Sequence, residues 1–310
     1  MINQDFYNKL AEIVSEEAIL ENEPMSKHTT FRIGGNAEVF VSPKISQVAD
    51  ILKLAKEYEV PVTIIGNGSN LLVGDKGISG LVLSFGKDAE EIQVDGSCMI
   101  VSAGALLSKI AAEAAKRSLT GFEFAAGIPG TLGGAIVMNA GAYGGEIKDT
   151  LVSSLILDEN LEIRTLTAEE HELSYRHSVF HEQPGWIVLE TTFSLTPASR
   201  DELHAKTVEL LKKRNEKQPL EYPNAGSTFK RPEGYFAGKL IEDAGLRGFS
   251  VGDAQVSEKH CGFVINQKNA TAKDVCDLID KVRETVAKQF GVTLEAEVRY
   301  VKRNEPDARL

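Results

Sequence analysis

Cysteine is scarce in this sequence. Cys98, Cys261 and Cys276 are the only three among 310 residues. They lie far apart with no C-x-x-C, so neither a disulfide framework nor a zinc ribbon is signalled, and an odd, scattered set fits a reducing compartment. Long apolar runs are lacking as well. The opening stretch MINQDFYNKLAEIVSEEAIL is acidic and interrupted by charges, without the apolar core of a signal peptide. No run approaches the roughly 18 apolar residues that span a bilayer, so no membrane association and a cytoplasmic location are expected. Basic residues are the third shortage. Against 45 Asp and Glu stand 34 Lys and Arg, a formal net charge of −11. This argues against nucleic acid as a partner, because such surfaces need clustered cations. A small anionic substrate stays open, since a few local cations suffice. No protein partner is indicated. G-K-[ST] and H-E-x-x-H are also missing, and His177 and His181 have no third ligand, so no metal site is expected.

What is present is a hydrophobic fraction of 42%, enough for a proper core, and a mixture of periodicities. Phe6, Leu10, Ile13 and Val14 have helical spacing. Ser46 can cap a second helix on which Val48, Ile51, Leu52 and Ala55 share a face. VPVTIIG then reads as a buried strand, followed by strands at GLVLSF, EEIQVDG and CMIVSAG, a helix at LLSKIAAEAAKRSL, and more strands from LVSSLILDENLEIRTL to WIVLETTFSL. This is an α+β mixture and not a regular βαβ alternation. Near residue 200 the composition shifts. DELHAKTVELLKKRNEKQP predicts a charged bridging helix that ends at Pro219. Beyond it a smaller α+β unit carries a strand at CGFVINQ, and Thr271 and Asp274 in a capping-box pattern. Val275, Leu278, Ile279, Val282 and Val286 line one helical face, and VTLEAEVRYV alternates as a half-buried closing strand.

Two stretches are rich in glycine: IIGNGSNLLVGDKGISG and AAGIPGTLGGAIVMNAGAYGGE. The first offers G-x-G at Gly66 and Gly68, with Asp88 further on. It fails as a dinucleotide fingerprint, because Leu71 stands where the third glycine belongs and no helix follows. Each loop alone reads as a turn needing positive φ. Together, small residues that let backbone N–H groups approach an anion suggest a phosphate-bearing cofactor outside the Rossmann and P-loop classes. Thr131 is a possible hydroxyl donor, and Gly133, Gly134 and Ala135 allow a flat ring to approach.

Ser227, in YPNAGSTFKRP, has three readings: nucleophile, turn serine, or proton donor braced by Lys230 and Arg231. The G-x-S-x-G elbow of a nucleophile is absent, and pattern alone favours a turn. Glu295, Glu297 and Arg299 alternate along the last predicted strand and so share a face, either solvated or turned to a cleft. Arg176, in LSYRHSVF, could fork onto a carboxylate or phosphate, or stack on Tyr175.

HTTFRIGGNAE, IIGNGSNLLV, GIPGTLGGAIVMNAGAYG, YRHSVF, NAGSTFKRP and LEAEVRYV stand in an order that resembles the UDP-N-acetylenolpyruvoylglucosamine reductase (MurB) family of bacterial cell-wall synthesis, from about His28 to Val301. The resemblance implies a two-subdomain FAD-binding fold of the vanillyl-alcohol-oxidase type, with a smaller C-terminal substrate domain. Expected boundaries are 1–75 and 76–200 for FAD binding, 201–301 for substrate and 302–310 as a tail. It implies non-covalent FAD, NADPH as co-substrate, and reduction of an enolpyruvyl ether to a lactyl ether. Arg176, Ser227 and Glu297 match the family's catalytic residues: carboxylate binder, proton donor and carboxylate polariser. The cofactor loops would be Gly66, Asn67, Gly68, Ser69, Asn70 and Leu71, and Gly127, Ile128, Pro129, Gly130, Thr131, Gly133, Gly134, Ala135, Asn139 and Gly141. Arg214, Lys217, Lys230, Arg247 and His260 are the cations placed around the diphosphate and uridine. The short link from Arg176 to Ser227 resembles the family version without an extra tyrosine loop, and Arg231 stands where some relatives carry asparagine. Two other readings remain: a flavin-dependent alcohol oxidase or dehydrogenase of the same superfamily, and a non-catalytic nucleotide-binding protein.

Overall fold

The computed structural model describes residues 2–303. Most of the expected tail, residues 304–310, lies outside the described residues, whereas the carbonyl of Arg303 accepts a hydrogen bond from Ser79 N–H at 3.2 Å. The first helix, α1 (Gln4–Val14), starts at Asn3, whose side chain accepts from Phe6 N–H at 2.8 Å. The second, α2 (Val48–Glu57), buries Val48, Ile51, Leu54 and Ala55. Its expected cap at Ser46 is displaced: Ile45–Gln47 forms a short 3₁₀ turn, and Gln47 occupies the cap position. Both helices cover one face of a four-stranded sheet ordered Ile19–Pro24, Asn36–Val41, Ile78–Ser84, Val62–Ile65. Alternation decides the faces. Val39, Val41, Leu81 and Leu83 pack with α1 and α2, while Phe40 and Val82 point to the other side, toward Val73 and Val301.

A second core surrounds a five-stranded antiparallel sheet ordered Ile163–Thr167, Leu151–Leu157, Ile187–Ser194, Cys98–Ser102, Ile92–Asp95. Helices α3 (Leu107–Lys116) and α4 (Leu132–Val137) pack into it through Ile110, Ala111, Ala114 and Ile136. The long α5 (Arg200–Lys217) follows, with Leu203 as its one buried residue. A third core holds α6 (Ala237–Asp243), the small sheet Ser250–Val251, Ala254–Val256, Val264–Asn266, and α7 (Ala272–Phe290). Thr271 and Asp274 cap α7 as expected, and Val275, Leu278, Ile279, Val282 and Val286 are all buried.

Three expectations need correction. The boundary at residue 75 falls before Ile78–Ser84, which is an inner strand of the first sheet, so that unit extends through Ser84. The boundary at 200 separates α5 from its own support. This helix packs on α3 and the Glu123–Ala125 turn, where buried Glu123 accepts from Lys206 Nζ at 3.3 Å. The closing strand is shorter than VTLEAEVRYV. Only Arg299–Val301 is strand, pairing in parallel with Leu71–Val73. Residues 295–297 instead pair with the NAGSTFK stretch, through Phe229 opposite Ala296. A returning strand split between two partners does not show in alternation alone.

The third core reaches back to the first unit through Phe31, Ile33 and Leu72. Asp75 strengthens that tie, because its carboxylate accepts from the Ala272 and Lys273 N–H groups at 2.8 and 3.1 Å. Those are donors at the start of α7 with no intrahelical partner. D75A is expected to cost about 1 kcal/mol, the usual worth of a cap. The check is a lower urea midpoint at unchanged m-value.

Candidate active site

The NAGSTFK segment is held on both sides. Asn224 forms a local turn in which its Oδ1 accepts from Gly226 N–H at 3.0 Å, and its carbonyl accepts from Thr30 Oγ1 at 2.7 Å. Thr228 N–H donates to Gly262 at 2.8 Å, and Thr228 Oγ1 accepts from Val264 N–H at 2.9 Å. On the opposite edge Glu297 N–H donates to Thr228 and Lys230 N–H to Glu295, each at 2.8 Å. Thr228 and Phe229 are buried by these contacts while Ser227 is left exposed. It opens on a cavity of about 390 Å³ that also includes Arg176 and Glu297.

Arg176 comes from a tight turn in which Ser174 and His177 exchange backbone hydrogen bonds of 3.1 and 3.2 Å. Its Nε donates to Glu297 Oε1 at 2.6 Å, and its Nη2 to the Gly141 carbonyl at 3.4 Å. The guanidinium also lies 5.1 Å from the Tyr175 ring centroid, so ion pairing and stacking are both realised. The pair is mostly shielded, with side-chain exposures of 20% for Arg176 and 13% for Glu297. Burial pushes the Glu297 carboxyl above its ordinary value, against the opposing pull of Arg176 and Lys230. With Oε1 accepting from arginine, Oε2 is the oxygen free to carry a proton.

The expected cations divide. Arg247 and His260 line the cavity. Arg247 is held by Glu242 at 2.7 Å and also donates to the Glu258 carbonyl. His260 Nδ1 accepts from Gly262 N–H at 3.1 Å, and burial lowers its basicity, helped by Lys217 and Arg247 nearby. Lys217 is otherwise outside the cavity lining. Lys230 turns away to Glu295 at 2.6 Å, so Glu295 and Glu297 serve different partners. Arg214 is elsewhere: its Cδ lies 2.7 Å from where a Cβ on Gly127 would be, against the second glycine loop. Burial draws its guanidinium below the usual value. Lining groups that went unpredicted include Lys239, Lys259, Phe236 and Glu242. Phe236 and Lys239 flank the small residues Ala237 and Gly238, a feature that does not by itself mark a site, and Lys259 stands apart from them in sequence.

The two glycine loops meet. A Cβ on Gly66 would sit 2.0 Å from Thr131 Oγ1, so only glycine permits this approach. Gly68 has φ +59°, and a Cβ there would lie 2.1 Å from the His28 carbonyl oxygen. Asn67 Nδ2 donates to the Pro129 carbonyl at 2.7 Å. Asn70 ties the first loop to the segment carrying Glu297, since its Nδ2 donates to the Glu297 carbonyl at 3.0 Å. Thr131 is buried, yet its Oγ1 has no hydrogen-bond partner. An unpaired buried hydroxyl between small residues suits a polar cofactor edge. The Asn139 amide is occupied within the protein by Glu146, Ser174 and Lys148.

The folded loops and their orphan hydroxyl form a cradle suited to a cofactor, beside a separate C-terminal unit. Residues 37–167 match the family described as FAD binding domain, and residues 218–301 match the UDP-N-acetylenolpyruvoylglucosamine reductase C-terminal domain. The chain belongs to the UDP-N-acetylenolpyruvoylglucosamine reductase (MurB) family. The reductase of that name from Agathobacter rectalis is 56% identical, over 97% of this chain and 99% of its own. The crystal structure of MurB from Thermus caldophilus superposes with a TM-score of 0.78 at 32% identity, covering 91% of this chain and 97% of that one. Phl p 4.0202, a glucose dehydrogenase, shares the fold alone, with a TM-score of 0.50 and 15% identity over 73% of this chain and 52% of its own.

FAD is the cofactor that this family and domain bring. G66A drives a methyl group into Thr131 and should part the loops. Its expected outcome is less than half the wild-type flavin absorbance per chain near ~450 nm, measured after purification with added FAD.

Proposed function

We infer that this chain reduces UDP-N-acetylenolpyruvoylglucosamine to UDP-N-acetylmuramate, with FAD as non-covalent cofactor and NADPH as co-substrate, in peptidoglycan precursor synthesis. Family membership over nearly the whole chain supports the reaction. The observation that carries the assignment of roles is the joining of Arg176 and Glu297, 121 residues apart, at 2.6 Å beside Ser227 in one cavity. Among the described residues no helix is long and apolar enough to cross a membrane. A cytoplasmic setting fits a reaction that draws on NADPH and a nucleotide sugar. The unit from 218 onward covers the substrate, and the preceding units bind FAD.

When bound, FAD supplies the enol methylene carbon of the substrate with a hydride taken from NADPH. The protein must then stabilise negative charge spreading into the adjacent carboxylate. Arg176 forks onto that carboxylate. Glu297, whose carboxyl burial pushes above its ordinary value, donates in its protonated form a second hydrogen bond to it through Oε2. Preorganised donors of this kind are each worth about 3–4 kcal/mol. Ser227 delivers the proton to the carbon beside the carboxylate. A hydroxyl is a weak acid in water, but a carbanion held in contact accepts from it when geometry is right. The alkoxide left behind needs a cation. Arg231, which lines the cavity with its guanidinium 4.0 Å from the Phe236 ring centroid, is better placed for this than Lys230. Arg247 and His260 hold the diphosphate end, and Arg214 lies on the cofactor side.

Ser227→Ala is expected to leave flavin reduction by NADPH within about twofold of wild type, while re-oxidation by the enolpyruvyl substrate slows by about 10²–10⁴-fold. Stopped-flow absorbance separates the two steps, and an unchanged second step removes Ser227 from the mechanism. Glu297 acts protonated, and its raised value means that activity declines as pH rises through it. E297Q cannot titrate, so its kcat profile should lose that limb while keeping more activity than E297A. An alcohol oxidase would instead turn over simple alcohols with oxygen and without NADPH.

A further inference from the structure

Asn139 is fully buried and holds a left-handed backbone at φ +40°. Its Nδ2 donates to Glu146 Oε2 at 2.6 Å and to the Ser174 carbonyl at 3.0 Å, while Oδ1 accepts from Lys148 N–H at 3.1 Å. Both amide donors are thereby used. The two groups that receive them flank Arg176. Ser174 opens the tight turn carrying Arg176, which itself sits at φ +56°. A non-glycine residue is strained there and persists only where its surroundings over-determine it. Glu146 pairs with Gly141 in a two-stranded hairpin, and the Gly141 carbonyl accepts from Arg176 Nη2 at 3.4 Å. One buried amide therefore grips both the backbone that carries the arginine and the hairpin that its guanidinium touches.

We infer that Asn139 is a positioning residue for the reduction: its amide sets the Arg176 guanidinium in register with the second glycine loop. This rests on the reading of Arg176 as the binder of the substrate carboxylate. It replaces the expectation that Asn139 contacts the cofactor. Its consequence is specific. Loss of the amide lets the arginine turn shift against the loop, and a displacement of about 1 Å can cost about 10²-fold in rate. Flavin binding and the NADPH step do not depend on that register.

The test is a double-mutant cycle with N139G and R176K. Glycine keeps the left-handed backbone and deletes the amide, and lysine keeps the charge but loses the fork. N139G should retain flavin absorbance and the NADPH half-reaction within about twofold of wild type. Its re-oxidation by the enolpyruvyl substrate should slow by about 10–100-fold. The double variant should be little slower than R176K alone, because residues that act through one another are not additive. Multiplying losses, or flavin loss with unimpaired re-oxidation in whatever protein remains loaded, overturn the inference. If R176K is unimpaired, the reading of Arg176 fails and this inference with it. If R176K is impaired and N139G is not, only the role of Asn139 fails. Should N139G not accumulate flavin-loaded, E146A deletes one arm of the same bridge from a partly exposed position. It should slow re-oxidation and be non-additive with R176K, and additivity there is equally fatal.

Discussion

Parallel pairing of Arg299–Val301 with Leu71–Val73 places the Glu297 carboxylate. The chain leaves the first unit at Ser84, builds two further cores, and returns its last strand to the first glycine loop. Two bonds set the register there: Arg299 N–H to the Asn70 carbonyl at 2.9 Å, and Asn70 Nδ2 to the Glu297 carbonyl at 3.0 Å. Glu297 is therefore indexed against the first glycine loop by its own backbone, although it belongs to the C-terminal unit. The same segment pairs on its other side with Thr228, which brings Ser227 to the cavity. The first glycine loop, Ser227 and the Glu297 carboxylate are thus aligned by one short ladder of hydrogen bonds, whose rigidity is what a site with tight geometric tolerance requires.

Elements driven by a single apolar face were legible in the sequence. The spacing of Val275, Leu278, Ile279, Val282 and Val286, with the Thr271 cap, foretold α7 well, and all five side chains are buried. Boundaries were less legible because they depend on pairing across distance. Nothing in ISGLVLS announces that it lies inside the first sheet, between Asn36–Val41 and Val62–Ile65. The charged face of α5 suggested a bridge. The weight lies instead on Leu203 and on the reach of Lys206 to Glu123, a contact that no local pattern reveals. Ser46 lost the cap to Gln47 because a 3₁₀ turn precedes the helix, a change smaller than propensity can resolve.

At the site, the motif order located Arg176, Ser227 and Glu297, but sequence could not sort the surrounding cations. Lys230 follows the serine closely and yet faces Glu295, because residues an odd number of positions apart on an extended segment point to opposite sides. Arg214 lies over Gly127, since a helix packed on the second core aims its end at that core's loop. Lys239 and Lys259 had no feature to distinguish them from solvated lysines. Asn139 was singled out as a cofactor contact, and its side-chain bonds to Glu146, Ser174 and Lys148 become visible only in three dimensions.

The Arg176–Glu297 pair is better explained as preparation for substrate than as a source of stability. Two shielded charges lose hydration that their mutual attraction repays poorly, and the upward push on Glu297 records that imbalance. An incoming carboxylate changes the balance. It offers Arg176 a second anionic partner, and in the proposed mechanism it accepts a hydrogen bond from Glu297, whose carboxyl burial pushes above its ordinary value. The interactions grow stronger as charge moves onto the substrate carboxylate, so the donors favour the transition state over the ground state. A serine proton donor fits the same logic. It requires no basic partner, and the Ser227 hydroxyl forms no hydrogen bond to the His260 ring, whose Nδ1 is taken by Gly262. The cavity therefore concentrates positive and donating groups around one developing anion, in a protein whose formal net charge is −11.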